Sequence, residues 1–132
     1  MNDKNKITKE NIEKILEFIP YFEDKNNKFY KLSKTDLLYP YIYDRKVNEF
    51  VKALYDQNIA YSFDWISWEP EAEKIYNNPE KLKSADLDTL RKLLTLHIRK
   101  ERFCNGHLAH MIKSGHIIVI LKRLKEIADD IY

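Results

Sequence analysis

The sequence predicts an all-α fold of about five to six helices, with one short β-hairpin or extended aromatic segment in its middle. Three observations carry that reading. Apolar residues recur at helical spacing in several stretches, most clearly from Asp86 to the C-terminus. The two glycines and four prolines fall near the ends of those stretches. Fourteen of the 17 aromatic residues crowd between Tyr21 and Tyr76, where the periodicity is interrupted. A chain of 132 residues, 44% hydrophobic and 33% charged, has the size and composition of one globular domain, expected to span residues 1–132.

Thr8 is a good N-cap, and Ile12, Ile15, Leu16 and Ile19 follow it on one face until Pro20, which is expected to end the helix. Asn26-Asn27 signals a turn, and Lys28–Leu32 has the composition of a short strand. Pro40 keeps the next stretch from being helical throughout. Asp44 is placed to cap a second helix with Val47, Phe50, Val51 and Leu54 on its apolar face. Ala60–Trp68 reads as a strand or a loop held by its rings. Pro70 suits the first turn of a helix that runs to about Asn77 and breaks at Asn78-Pro79. Asp86 or Ser84 opens the longest regular stretch, from Leu87 to about Phe103. Gly106 separates it from a short helix, His107–Ser114, and Gly115 fits the position after that helix. The last helix, from Ile117, aligns Ile120, Leu121, Leu124, Ile127, Ala128 and Ile131.

Several function classes are excluded. The longest aliphatic run, Ile117–Leu121, is far below the roughly 20 residues that span a bilayer. The opening MNDKNKITKENIEK has charge but no apolar stretch, so no secretory signal is expected. No membrane partner is expected either. Cys104 is the only cysteine, which excludes an internal disulfide and points to a reducing, cytoplasmic setting. Two glycines leave no material for a phosphate-cradling loop, and no cofactor is expected. The net charge of +2 does not mark a nucleic-acid binder, but its distribution is uneven. Residues 35–80 carry four Lys/Arg against nine Asp/Glu, and residues 81–132 carry eleven against six. Two segments of one domain that complement each other explain this, as does a basic face on the closing helices.

One helix carries an unusual polar set. At 100° per residue, His97 and Glu101 fall in the same stripe as Leu87, Leu90, Leu94 and Ile98, four residues apart and able to meet. Arg91, Thr95 and Arg102 lie on one flank, with Arg99 further round. Guanidinium groups beside a buried edge call for a carboxylate, and Asp64, between the rings of Phe63 and Trp65, is the candidate. The set reads either as a structural network holding the aromatic segment onto the long helix or as a ligand site. In a site, the arginines would take an anion, Trp65 or Trp68 a ring, and His97 a proton. Cys104, His107 and His110 have chelating spacings, yet no second half-site accompanies them, so no metal is expected. Cys104 is expected to be buried, with His107 and His110 at the surface. No nucleophile motif accompanies the histidines. Ile118, Val119 and Leu96 lie off the main apolar stripes, which permits a homodimer patch.

These residues also carry a resemblance. Phe63-Asp64-Trp65, the segment from Leu93 to Leu108 with Arg99-x-x-Arg102-Phe103-Cys104-x-Gly106 at its centre, Gly115-His116-Ile117 and Leu121-x-x-Leu124 resemble a bacterial domain-of-unknown-function family, numbered 6508. The resemblance covers roughly Val47 to Leu124. It implies a short, stand-alone bacterial protein in which Asp64, Trp65, Arg99, Arg102, Phe103 and Gly106 belong to a shared motif. It implies no activity, cofactor or catalytic residue, and His110 lies outside it. The expectation is a binding or interaction module. Its first rival is an enzyme acting on a small anionic substrate through His97 with Arg99 and Arg102. Its second is a nucleic-acid binder using the basic C-terminal face.

Overall fold

Helical periodicity becomes helix nearly everywhere the sequence places it. A computed structural model describes the backbone of residues 6–131 and the side chains of residues 6–130. The first five residues and the Ile131 side chain lie outside the described part. In chain order the elements are α1 (Lys9–Leu16), α2 (Ile19–Glu23), β1 (Tyr30–Leu32), β2 (Tyr41–Tyr43), α3 (Arg45–Asp56), α4 (Trp65–Tyr76), α5 (Pro79–Lys83), α6 (Leu87–Lys100), α7 (His107–Lys113) and α8 (His116–Ile131). Of these eight helical segments among the described residues, α2 and α5 have only five residues each, which leaves six longer helices. The chain is mostly α, with a single two-stranded antiparallel hairpin among the described residues.

Local chemistry sets the boundaries. Thr8 caps α1 through a reciprocal box with Asn11: the Thr8 hydroxyl oxygen accepts from Asn11 N, and Asn11 Oδ1 accepts from Thr8 N. Pro20 does not end α1; it sits in the first turn of α2, where a missing N–H costs nothing. Asp44 precedes α3 without capping it, because its carboxylate accepts from the Tyr21 hydroxyl at 2.6 Å. The largest departure is at Ala60–Trp68, where α4 begins five residues before Pro70. Asp64 makes that start by accepting from Ser67 N and Ser67 Oγ, at 3.2 and 2.7 Å. Pro70 therefore lies inside the helix, and the carbonyl it leaves unpaired belongs to Ile66, which is exposed to water. Asn78 and Asp86 cap α5 and α6.

The core is one continuous cluster from Ile7 to Ala128. Helix α8 packs against α1, α2, α5, α6 and α7, so it needs apolar side chains on more than one stripe. That is why Ile118 and Val119 are partly buried against the core. Helix α6 is covered further still: every residue from Leu93 to Ile98 is buried. Leu96, off the main stripe, is thus a core residue, whereas Ile118 and Val119 keep part of their surface exposed. The hairpin pairs Tyr30 with Tyr43, Lys31 with Ile42 and Leu32 with Tyr41. It is fastened to the turn after α6, where Tyr41 N donates to Asn105 Oδ1 at 2.9 Å and the Tyr41 ring lies against Gly106. No described helix is long and apolar enough to cross a membrane.

Candidate functional site

Of the polar set on α6, Arg91 and Thr95 are the residues that tie the aromatic middle to the helix. Arg91 is buried and donates from Nη2 to Asn58 O (2.8 Å) and from Nε to Ile59 O (3.3 Å). Its guanidinium also lies over the Tyr61 ring, 4.5 Å from the centroid. Thr95 Oγ1 accepts from Tyr61 N, and the Tyr61 hydroxyl donates to Asp88; burial, and then that hydrogen bond, push the phenol up to about 12. Lys92 reaches over both Phe63 and Trp68. Arg91 is thus satisfied by carbonyls as a helix end would be, and Asp64 is not its partner. Asp64 is exposed at the start of α4, where the hydrogen bonds from Ser67 hold its carboxyl below the usual range.

Glu101 does not pair with His97 either. It sits at the C-terminal end of α6 and accepts from the Tyr43 hydroxyl (2.7 Å), Asn105 Nδ2 (3.1 Å), Gly106 N (3.0 Å) and Leu108 N (2.8 Å). One carboxylate thereby caps α7 and binds the hairpin to the α6–α7 turn. The Tyr43 hydroxyl in turn accepts from Ala109 N, and burial together with Glu101 drives its titration far upward. Gly106 makes the turn with φ +98°, and a side chain there would run into the Tyr41 ring.

His97 has no exposed surface. Its Nδ1 shares a hydrogen bond with His107 Nε2 at 2.9 Å, and its Nε2 has no hydrogen-bond partner among the described residues. The Tyr76 ring stacks edge-on against both His97 and His116. Burial, then the neighbouring His107, His116 and Lys100, hold His97 well below the ordinary histidine range. Burial and then Lys100 push His107 down to about 4. Both rings are therefore neutral at pH 7, with one proton between them. His107 is half-buried, contrary to the surface position expected for it, and Cys104 is exposed where burial was expected. The Cys104–His107–His110 spacing does not become a cluster: among the described residues no three His, Cys, Asp or Glu side chains converge on a metal position. Arg99 is half-buried and Arg102 exposed, and neither pairs with a described carboxylate. Phe103 is exposed too, its ring 6.0 Å from that of the buried Trp65. The seven residues singled out in the sequence thus disperse: Asp64 is a helix cap, Glu101 a turn hub, His97 and Trp65 are buried, and Arg99, Arg102 and Phe103 lie toward the surface.

A cavity of about 600 Å3 opens elsewhere, between α2, β1 and the α7–α8 corner. Its walls include the apolar side chains of Phe22, Phe29, Ile112 and Ile118, and four lysines line it: Lys25, Lys28, Lys113 and Lys122. The sole carboxylate of its lining, Glu23, forms an ion pair with Lys122 at 3.3 Å, so Lys25, Lys28 and Lys113 have no described acidic partner. Sequence reasoning missed this site. The signal available was the lysine spacing of residues 25, 28, 31 and 34, a run without a carboxylate between Asp24 and Asp36.

The model of one protein family, described as a family of unknown function (DUF6508), matches residues 7–130. No curated protein and no solved structure matches the chain.

Proposed function

We propose, for a chain that belongs to the family of unknown function DUF6508 and inherits no activity from it, a cytoplasmic binding module that takes an amphiphilic anion in the lysine-rimmed cleft. The observation that carries this is a cavity of ligand size whose apolar walls are lined by three cations without carboxylate partners among the described residues. Phe22, Phe29, Ile112 and Ile118 suit an apolar body; Lys28 and Lys113 suit a carboxylate, sulfonate or phosphate head. A single cysteine, which can form no internal disulfide, suits a reducing compartment. The enzyme reading is disfavoured by the complete burial of His97 and by its distance in role from Arg99 and Arg102, which share no hydrogen bond with it. The nucleic-acid reading loses support on α8, where Lys122, Arg123 and Lys125 each have an acidic neighbour.

Calorimetric titration with decanoate, and with decanamide as its uncharged counterpart, tests the proposal. Saturable binding of the carboxylate is expected, with the amide at least about tenfold weaker, and Lys28→Glu with Lys113→Glu should weaken it by a similar factor while circular dichroism stays unchanged. Absence of saturable carboxylate binding, or binding undiminished in the charge-reversed protein, would discard the cleft as the site.

A further inference from the structure

We propose that the tip of the β-hairpin attaches the protein to an anionic lipid surface. Leu37, Leu38 and Tyr39 are 86%, 82% and 61% exposed, the most conspicuous apolar exposure on the described chain, and Leu32 and Ile42, on opposite faces of the hairpin, are exposed as well. A loop holding two leucines in water needs a reason, because nothing in its own fold covers them.

Several backbone amides of the loop are paired within it. Ser33 N donates to Pro40 O at 2.7 Å, closing the loop at its base. Ser33 Oγ accepts from Thr35 N and Asp36 N, and Asp36 Oδ1 accepts from Leu38 N and Tyr39 N. Amides already paired inside the loop lower the cost of bringing it to the edge of a hydrocarbon phase. The leucines supply an apolar wedge, and Tyr39 has the ring-plus-hydroxyl character that settles at a membrane interface.

Charge selects the kind of surface. Lys25, Lys28, Lys31 and Lys34 lead toward the tip with no intervening carboxylate, and none of them forms an ion pair with a described residue. The nearest carboxylate on the tip side, Asp36, is engaged by the two loop amides. Lysines beside an apolar wedge match anionic headgroups, each adding attraction that falls off within a Debye length. Leu37 and Leu38 are almost wholly in solvent, and a fluid lipid layer accommodates such side chains without a matching hole. The hairpin base is firm enough to hold them out, through Tyr41 on Asn105 and Tyr43 on Glu101. The expectation of no membrane partner rested on segment length, which excludes spanning and says nothing about attachment. This inference does not rest on the cleft reading.

Co-sedimentation of the full chain with vesicles tests it, using phosphatidylcholine alone and with about one quarter phosphatidylserine. Binding is expected only to the anionic vesicles and should weaken as salt rises. Leu37→Ser with Leu38→Ser should reduce it about tenfold, with the fold intact by circular dichroism. Lys31→Glu with Lys34→Glu should reduce it similarly, whereas Lys113→Glu, in the cleft alone, should leave it nearly unchanged. Failure of the wild-type chain to bind anionic vesicles overturns the proposal. So does undiminished binding after the two leucine substitutions. A dimer in sedimentation equilibrium that those substitutions dissolve would assign the tip to a second copy and overturn it as well.

Discussion

A buried histidine whose neighbours keep it neutral makes stability depend on pH in a defined direction. His97 and His107 both have folded-state values below the ordinary 6.5, His107 at about 4. Above about pH 6.5 the rings are neutral in folded and unfolded chains alike, and they cost nothing. As pH falls below that point the unfolded chain takes up protons that the folded one refuses, so the contribution is lost progressively toward pH 4. Each proton refused tilts the stability by about 1.4 kcal/mol per pH unit. Urea midpoints measured at pH 7 and pH 5 should therefore differ markedly, and His107→Gln, which keeps an amide to meet His97 Nδ1, should shrink the difference. An unchanged pH dependence in that variant would mean that other groups set it. The same scale holds a second test. Replacing Glu101 with Ala strands Gly106 N, Leu108 N and the Tyr43 hydroxyl together, and should cost about 3 kcal/mol in chemical denaturation. Near-neutral behaviour would show that water takes over those donors.

Between elements, Arg91 is the tie that matters most. It joins α6 to the chain preceding α4 by bonding two backbone carbonyls and covering Tyr61. Arg91→Met keeps much of the volume and removes the donors, so it should cost roughly 3 kcal/mol and weaken amide protection around Ile59 and Tyr61 in hydrogen exchange. Protection unchanged from the native protein would contradict the tie. This tie also shows what the sequence could and could not say. That a polar set on α6 fastens the aromatic segment was legible, because a buried edge with arginines beside it must be satisfied. Which arginine does so was not, since the partners are carbonyls of Asn58 and Ile59, and a carbonyl leaves no mark in the residue pattern. Asp64 misled for a related reason: its short distance to Ser67 makes it a helix cap, a local use that competes with any remote pairing. The start of α4 was hidden in the same way, because Phe63 and Trp65 alternate around Asp64 and read as extended chain. The cleft was invisible because its walls come from α2, β1, α7 and α8, which are far apart in sequence. Helix existence, by contrast, depends on periodicity within one stretch, and α1, α3, α6, α7 and α8 form where it recurs, although α1 ends at Leu16 and α6 at Lys100, short of the ends expected near Pro20 and Phe103.

Across the whole molecule, the charge imbalance between residues 35–80 and 81–132 turns out to be only slightly a matter of complementary halves. Among the described residues a single ion pair, Lys100 with Glu69, joins the two segments, whereas Lys92–Asp88, Arg123–Glu126 and Lys125–Asp129 are local to the second. Apolar burial must therefore do the joining. Its reach is long: Ile12 and Ile15 of α1 are fully buried, α1 lies against α8, and α8 touches α6, which packs on α4. If residues 1–132 form one cooperative domain, damage at α1 must be felt at α4. Ile15→Ala is the probe, expected to cost about 3 kcal/mol because it opens a cavity in a filled core. Far-UV circular dichroism reports all the helices, while fluorescence reports Trp65 and Trp68, both on α4 and remote from Ile15 in sequence. In one domain the two signals lose stability together and their midpoints move by the same amount. If the fluorescence midpoint stayed in place while the dichroism signal split into two steps, α1 and the aromatic middle would belong to separately folding units, and the single-domain expectation would be wrong.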